Sequence, residues 1–354
     1  MTQYRHGGDI ETEKAYYSGE LLDFSANINP LGMPSAVIRA AQNAILDAEQ
    51  YPDPLCRKLR QAIAQKEGLL PGHVLCGNGA ADLIYRLALA LQPKRGMVLA
   101  PTFSEYEEAL KMTGCQVVHH RLSAANDFDL TEEILGHLTE DLDLLWLCNP
   151  NNPSGRLIDG ALMDKILDRC SENNIFVALD ECFLELCRDG KPLTQRILEM
   201  PNLFLLRAFT KGFAIPGLRL GYGLCGDPAL LDRMALCGPP WAVSVPAMAA
   251  GLAALEEDGF LEKSRAYIAE ERDWLLAALG RLGLWVCEGA ANYLLLRTSQ
   301  GQDLRDALRS QGILIRGCGN YEGLDQSFFR VAVRRHEDNE RLIEALSRCV
   351  EAGQ

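Results

Sequence analysis

The alternation of strand-like and helix-like segments from about Met33 to Cys225 is the feature that most constrains the fold of this chain. Apolar runs such as residues 145–148 and 175–179 end in polar loops, and segments with apolar residues at helical spacing lie between them. Strands that alternate with helices in this way are typical of a doubly wound sheet. We therefore predict an α/β fold with a large, mostly parallel sheet.

The segments on either side of this region indicate further units. We predict an N-terminal arm over residues 1–32 that packs with a small domain, a large domain over residues 33–245, and a connecting helix with a small α/β domain over residues 246–354. Residues 247–282 are rich in Ala, Leu and Glu at helical spacing, which predicts a long helix, bent or broken near Gly259. The small domain should contain strands at residues 285–288, 293–297, 313–316 and 328–333, a helix near residues 303–310 and a terminal helix.

Composition excludes several classes of partner. A chain of 354 residues with 48% hydrophobic content can bury a large core, and its net charge of -13 argues against nucleic acid or an anionic membrane as a partner. The 12 cysteines fall mostly in apolar segments, without metal-finger or C-x-x-C spacing, so we expect buried thiols and no metal site. The polar start MTQYRHGGD and the lack of a long apolar run predict a cytoplasmic protein.

Lys211 lies in an apolar, glycine-punctuated segment, AFTKGFAIPGLRLGY, over residues 208–222. Burial disfavours the ammonium form, so a lysine in this setting can attack an aldehyde such as that of pyridoxal phosphate. Arg219, in a strand-like run after the Pro216-Gly217 turn, could bind the phosphate of that molecule. The alternative is a surface lysine and a solvated arginine.

Two other segments carry polar groups at the ends of strands. Residues 145–155, LWLCNPNNPSG, place Asn152 where ligands of parallel sheets bind, and its amide could contact a phenolic oxygen. Residues 175–183, IFVALDECF, end on Asp180, which could keep a pyridinium nitrogen protonated. A helix cap or a surface ion pair is the alternative for Asp180.

The segment at residues 73–91 runs from a short strand through Gly77-Asn78-Gly79 into a helix whose first amides could bind phosphate. It half matches a dinucleotide fingerprint, but Asp82 stands where a third small residue belongs, which disfavours a nicotinamide-dependent oxidoreductase. Phe103, in VLAPTFSEYEEAL, could stack on a pyridine ring or be an ordinary core aromatic.

The motifs GNGAAD, APTFSEY, NPNNPSG, LDECF and FTKGFAIPGLRLGY, in this order and spacing, resemble those of the fold-type I pyridoxal-phosphate aminotransferases, in the histidinol-phosphate aminotransferase branch. The segments RHGGD, LLDFSANINPLGMP and QYPDP narrow the resemblance to the threonine-phosphate decarboxylases of cobalamin biosynthesis, as do the C-terminal segments ANYLLLR, ILIRGCGNYEGLD and FFRVAVR. The resemblance spans nearly the whole chain.

This resemblance implies a role for each matching residue. Lys211 would form the Schiff base with pyridoxal phosphate, Asp180 would pair with its ring nitrogen, and Asn152 with its ring hydroxyl oxygen. Phe103 would stack on the ring. The phosphate would be held by Gly79, Ala80, Thr210 and Arg219, and by Tyr51 from the neighbouring subunit of a homodimer. The residues that would face the substrate, a small phosphorylated amino acid, are His6, Asn27, Arg316 and Arg330.

Two residues depart from the aminotransferase pattern. Phe183 stands where the aminotransferases usually carry a tyrosine, and the decarboxylases resemble this chain in having a phenylalanine there. Ala208 stands where many relatives carry a serine that binds the phosphate. The resemblance therefore implies decarboxylation of L-threonine O-3-phosphate to (R)-1-amino-2-propanol O-2-phosphate, with a histidinol-phosphate aminotransferase as the alternative. A pyridoxal-binding regulator is disfavoured, because the chain has neither the length nor the basic charge for an added DNA-binding domain.

Overall fold

The computed structural model describes residues 6–15, 17, 19–298 and 304–352; Arg5 of the RHGGD motif and Asp303 lie outside these ranges. The strands are β1 Leu22–Asp23, β2 Val74–Gly77, β3 Arg95–Ala100, β4 Gln116–Arg121, β5 Leu144–Cys148, β6 Phe176–Asp180, β7 Leu203–Ala208, β8 Gly221–Cys225, β9 Trp285–Cys287, β10 Tyr293–Arg297, β11 Ile313–Leu314, β12 Arg316–Gly317 and β13 Phe328–Ala332.

The α-helices are α1 Ile10–Lys14, α2 Ser35–Ala44, α3 Arg57–Glu67, α4 Ala80–Leu91, α5 Glu105–Met112, α6 Gly160–Glu172, α7 Phe209–Gly212, α8 Pro228–Leu236, α9 Val245–Leu255, α10 Phe260–Arg281, α11 Leu304–Arg309 and α12 His336–Ala352. Short 3₁₀ turns occur at Ile45–Asp47, Pro71–His73, Ala124–Asn126, Glu132–His137, Leu184–Leu186, Thr194–Leu198 and Pro216–Leu218.

The large sheet has seven strands in the order β2-β8-β7-β6-β5-β3-β4. Strands β7, β6, β5, β3 and β4 pair in parallel, whereas β8 runs antiparallel to both of its neighbours. The doubly wound, mostly parallel sheet that the sequence predicts is confirmed.

Apolar residues fill both faces of this sheet. Successive side chains of a strand point to opposite faces, and β5 shows the result, because Leu145 and Leu147 join one buried cluster while Leu144 and Trp146 join another. Helices α3, α6 and α9 contribute to the first cluster, and helices α4, α5 and α8 to the second. The sheet is therefore a buried layer between helices, as expected from its apolar central strands.

A four-stranded antiparallel sheet, in the order β12-β13-β10-β9, forms in the C-terminal third of the chain. Helices α10, α11 and α12 pack on it through a third apolar cluster. Strand β1 pairs in parallel with β11, with Leu22 opposite Ile313, so the predicted N-terminal arm is joined to this part of the chain. The domain boundaries at residues 32 and 245 stay a prediction.

Three local predictions can be compared with the structure. The long helix breaks between α9 and α10, where Gly259 adopts φ +72, as predicted. The strand predicted at residues 313–316 is wrong as a single element, because β11 pairs with β1 and β12 pairs with β13 in a different sheet. Arg219 is not in a strand: it adopts φ 59, and β8 begins two residues later at Gly221. Over the described residues, no helix is long and apolar enough to cross a membrane.

Candidate active site

A cavity of about 870 Å³ lies where the parallel strands β5, β6 and β7 end. Most of the residues that the sequence singles out line this cavity: His6, Asn27, Ala80, Phe103, Asn152, Asp180, Thr210, Lys211, Arg219, Arg316 and Arg330. These residues span more than three hundred positions of the chain, so the fold brings them to one place from distant segments. Ligands of parallel α/β sheets bind at this edge.

Gly79 lies at the rim of the cavity beside the guanidinium of Arg219. Gly79 has φ +83, a backbone conformation that favours glycine, and a Cβ there would also displace the guanidinium of Arg219. Helix α4 begins at the next residue, Ala80, and its first amides face the same region. The guanidinium of Arg219 and the start of α4 together form a candidate anion-binding site.

Asp82, which disfavoured a dinucleotide site, has a structural role in this loop. Its Oδ2 accepts a hydrogen bond of 2.8 Å from the amide of Asn78, and its Oδ1 accepts one of 2.8 Å from Nε of the buried Arg86. The carboxylate therefore fixes the turn before α4 and is neutralised by Arg86.

Lys211 lies in the short helix α7, directly after β7. Its Nζ is 5.5 Å from the centre of the Phe183 ring. Burial, and then the positive charge of Arg330, lower the pKa of Lys211 to about 8. At pH 7 about a tenth of this amine is therefore neutral and nucleophilic, far more than for an exposed lysine.

Asp180 ends β6 and has a partner for each carboxylate oxygen. The hydroxyl of Tyr106 donates to Oδ2 across 2.6 Å, and the amide of Cys182 donates to Oδ1 across 2.8 Å. Burial raises the pKa of Asp180, and these two hydrogen bonds together with the charge of Lys211 oppose that rise. The Tyr106 ring is stacked on Trp146, with 4.9 Å between ring centres, so the hydroxyl is rigidly aimed.

Arg330, on β13, is held by two partners at the base of the cavity. Its Nη1 donates a short hydrogen bond to Oδ1 of Asn152, and its Nη2 donates to the backbone oxygen of Ser25 across 2.9 Å. The guanidinium also lies over the ring of Tyr293, 5.4 Å from its centre. Its Nε is buried without a hydrogen-bond partner among the described residues.

Arg316 approaches the cavity from β12, the strand next to β13. It donates hydrogen bonds of 2.6 Å to the backbone oxygen of Gly317 and 2.8 Å to Oδ1 of Asn320, and it lies over the Tyr321 ring at 5.5 Å. Strands β12 and β13 thus place the guanidinium groups of Arg316 and Arg330 at the same cavity.

Asn27 is 1% exposed, yet neither its amide nitrogen nor its amide oxygen has a hydrogen-bond partner in the described part of the chain. An unpaired buried amide costs about 1–3 kcal/mol. Because Asn27 lines the cavity, a polar ligand there would provide the partners that the protein does not.

The N-terminal arm covers the cavity through His6, Gly7 and Gly8. A Cβ on Gly7 would stand 2.2 Å from the backbone oxygen of Ser25, and the amide of Gly8 donates to Oγ of Ser25 across 2.8 Å. Only glycine allows the arm to approach this closely. The ring of His6 lies 5.7 Å from that of Phe103, between centres.

Tyr51 is the predicted residue that the fold of one chain does not bring to the cavity. Its side chain is 80% exposed, and its ring packs on Trp241 with 4.6 Å between centres. The sequence reasoning missed Glu105, Tyr85 and Tyr106, although the first and last lie in the APTFSEY motif. No local pattern marks them, because their partners are 20 to 99 residues away.

Metal-ligand clusters are absent from the described residues, where no group of three or more His, Cys, Asp or Glu side chains could hold an ion. All twelve cysteines are free thiols, and eleven of them are buried. Two of these, Cys148 and Cys182, line the cavity, and burial raises the pKa of both thiols, so they stay protonated.

Known proteins share this fold and much of this sequence. The sequence model of "Aminotransferase class I and II" matches residues 19–346. The chain is 42% identical over 347 residues to the threonine-phosphate decarboxylase of Salmonella typhimurium, covering 96% of this chain and 95% of that relative.

Two solved structures extend the comparison. The histidinol-phosphate aminotransferase from Clostridium acetobutylicum superposes with a TM-score of 0.87 at 30% identity, over 94% of this chain and 100% of that one. The L-threonine-O-3-phosphate decarboxylase from Porphyromonas gingivalis superposes with a TM-score of 0.82 at 26% identity, over 93% and 99% of the two chains. The chain therefore belongs to the class I and II aminotransferase family, as a pyridoxal-phosphate-dependent enzyme of fold type I.

Proposed function

We propose that this protein decarboxylates L-threonine O-3-phosphate to (R)-1-amino-2-propanol O-2-phosphate and carbon dioxide, in the synthesis of the cobalamin side chain. The observation that carries the proposal is one cavity that is lined by Arg316, Arg330 and His6 together with Lys211. A substrate with both a carboxylate and a phosphate needs cationic partners for both groups, and the two arginines can provide them. The full-length relation to the Salmonella decarboxylase supports the same reaction.

The residues of the cavity fit pyridoxal phosphate. Gly79 leaves room beside Arg219 that a Cβ would fill, the start of α4 offers amides, and Lys211 has a pKa of about 8. We infer that Gly79, Ala80, Thr210 and Arg219 hold the cofactor's phosphate, that Phe103 stacks on its ring, and that Asn152 contacts its ring oxygen. When bound, the cofactor provides an electron-withdrawing ring that accepts the electron pair left at Cα when a bond to that carbon breaks.

Two residues would handle protons in this reaction. The Asp180 carboxylate, oriented by Tyr106 and the amide of Cys182, would hold a proton on the ring nitrogen. Lys211 would hold the cofactor before the substrate binds. Its protonated amine would then donate a proton to Cα after carbon dioxide has left, since a group with a pKa of about 8 is an effective acid near neutral pH.

The choice between decarboxylation and transamination depends on orientation. The residue that holds the substrate carboxylate would fix the orientation of the bonds at Cα and so would select the outcome. We assign the carboxylate to Arg330, because Asn152 and the Ser25 backbone fix its guanidinium from two sides. Arg316, His6 and Asn27 then face the phosphate end of the substrate.

The alternative function is that of a histidinol-phosphate aminotransferase, which the Clostridium structure favours by its TM-score of 0.87. The two reactions differ in a simple requirement: transamination needs a keto acid as amino acceptor, and decarboxylation does not. Purified protein with threonine phosphate and no keto acid should release carbon dioxide and an equal amount of aminopropanol phosphate. Turnover of histidinol phosphate only, and only with a keto acid, would refute the proposal.

We also propose that the enzyme is a homodimer with shared sites. The exposed pair of Tyr51 and Trp241 supports this, because an aromatic pair on a surface suits an interface and Tyr51 would then reach the cofactor's phosphate in the neighbouring subunit. Mixing an inactive Lys211→Ala protein with an inactive Tyr51→Ala protein should restore activity in hybrid dimers. A fully active monomer by sedimentation would refute shared sites.

The cytoplasm is the compartment that we propose. Twelve free thiols in one chain support a reducing environment. Fractionation of cells should recover the protein with cytoplasmic markers, and recovery in an oxidising compartment would contradict the assignment.

A further inference from the structure

Glu105 is the first residue of α5, two positions after Phe103, and its two carboxylate oxygens contact different parts of the fold. Oε1 lies 2.8 Å from Nε2 of His6 in the N-terminal arm. Oε2 accepts a hydrogen bond of 2.7 Å from the hydroxyl of Tyr85 on α4. The carboxylate therefore connects the arm to the helix that begins at Ala80.

A carboxylate at this place needs an explanation, because Glu105 lines a cavity that should receive a dianionic substrate. Like charges facing each other in a binding site cost affinity. The hydrogen bond from His6, followed by that from Tyr85, lowers the pKa of Glu105 against the effect of its burial, so the group is ionised at neutral pH. The negative charge of Glu105 therefore interacts with His6 within the protein.

The arrangement holds the His6 ring from one side. Its Nε2 contacts Glu105, and the Phe103 ring stands 5.7 Å away between centres. The side chain of Glu105 is only 18% exposed, whereas that of His6 is 31% exposed and reaches solvent and cavity. Tyr85 in turn fixes the second oxygen of Glu105, so the carboxylate cannot rotate away from the ring.

We propose that Glu105, held by Tyr85, is a positioning residue that sets the orientation of His6 and thereby strengthens binding of the substrate's phosphate group. This inference rests on the proposed function, in which His6 faces that phosphate. Glu105 itself does not touch the substrate. Its effect should therefore appear in KM rather than in kcat and should require His6.

The test uses the holoenzyme with threonine phosphate. Glu105→Gln keeps the size of the side chain but removes the charge, and we expect KM to rise about tenfold, the equivalent of one weakened charge-assisted hydrogen bond, with kcat changed less than about threefold. Tyr85→Phe should raise KM by about threefold, because it loosens the same carboxylate. A phosphorus NMR titration with inorganic phosphate should show weaker binding to Glu105→Gln by a similar factor, without any turnover.

A matched control is available on the same helix. Glu107 also contacts a histidine, with 3.2 Å between its Oε2 and Nε2 of His119, but it does not line the cavity. Glu107→Gln should leave KM and phosphate binding unchanged. A general effect of charge removal on α5 would alter both variants.

A double-mutant cycle decides whether Glu105 acts through His6. If it does, Glu105→Gln should have no further effect on KM or phosphate binding in a His6→Ala enzyme. Full additivity of the two substitutions, or an unchanged KM in Glu105→Gln, would overturn the inference. A wild-type enzyme that releases no carbon dioxide from threonine phosphate would refute the proposed function instead, and the phosphate titrations of the same variants would still decide the role of Glu105.

Discussion

Replacing Tyr106 by phenylalanine isolates one hydrogen bond beneath the candidate active site. The Tyr106 hydroxyl donates to Oδ2 of Asp180 across 2.6 Å, and the two residues are 0% and 6% exposed. The ring itself should keep its stacking contact with Trp146 in the variant. The substitution therefore removes a polar interaction with little change in packing.

The size of the effect follows from the charge of the acceptor. A hydrogen bond to an ionised group contributes about 1.5–3 kcal/mol, which corresponds to roughly tenfold to a hundredfold in a rate constant. The amide of Cys182 still holds Oδ1 at 2.8 Å, so we expect the lower value, a fall of about tenfold in kcat. Loss of the hydroxyl also removes a group that opposes the raised pKa of Asp180, so that pKa should rise further and the acid limb of the kcat profile should move to higher pH.

The assay is carbon dioxide release from threonine phosphate across a range of pH. Tyr222→Phe is the matched control, because that hydroxyl also contacts a carboxylate, that of the partly buried Glu67 with 3.0 Å to Oε1, but outside the cavity. It should reduce stability and leave the kcat profile in place. An unchanged kcat profile in Tyr106→Phe, or equal changes in both variants, would refute the reasoning.

Four other substitutions test the remaining parts of the cavity. Lys211→Met should stabilise the cofactor-free protein by about 3 kcal/mol at neutral pH, because the pKa of Lys211 is lowered from 10.5 to about 8. The resulting penalty on the folded state is complete below pH 8 and absent above pH 10.5. Denaturant unfolding without that pH dependence would contradict this prediction. Gly7→Ala should displace the arm and raise KM by about tenfold, whereas Gly72→Ala, with nothing within 4 Å of its Cβ, should not. Removing Arg316 should erase the preference for threonine phosphate over threonine, whereas removing Arg330 should increase abortive transamination, each with a loss of at least about tenfold in kcat/KM; an unchanged preference and product ratio would refute the anion assignment.

Much of the fold could be predicted because the patterns involved are local. The alternation of apolar strands and amphipathic helices predicted a doubly wound sheet, and Gly259 marked the break between α9 and α10. The strand at residues 313–316 shows where such reasoning fails. A run of apolar residues indicates extended backbone, but the choice of partner strand depends on which segments the rest of the chain brings alongside.

The candidate site likewise combines residues that the sequence identified with residues that it did not. Asp180 and Asn152 were identified because each lies at the end of an apolar strand, at the edge where ligands bind, and Lys211 because it lies in an apolar, glycine-punctuated segment. The hydrogen-bond partners of these residues were not identified from the sequence. Tyr106 is 74 residues from Asp180, and the sequence allowed a helix cap or a surface ion pair there instead.

The sequence by itself determined the elements, the glycine positions and the order of the chemical groups, because these depend on neighbouring residues. Only the tertiary structure decided the contact between His6 and Glu105, 99 residues apart, and the pKa of about 8 at Lys211. Burial and the distances between charges set both, and neither quantity exists until the chain has folded around the cavity.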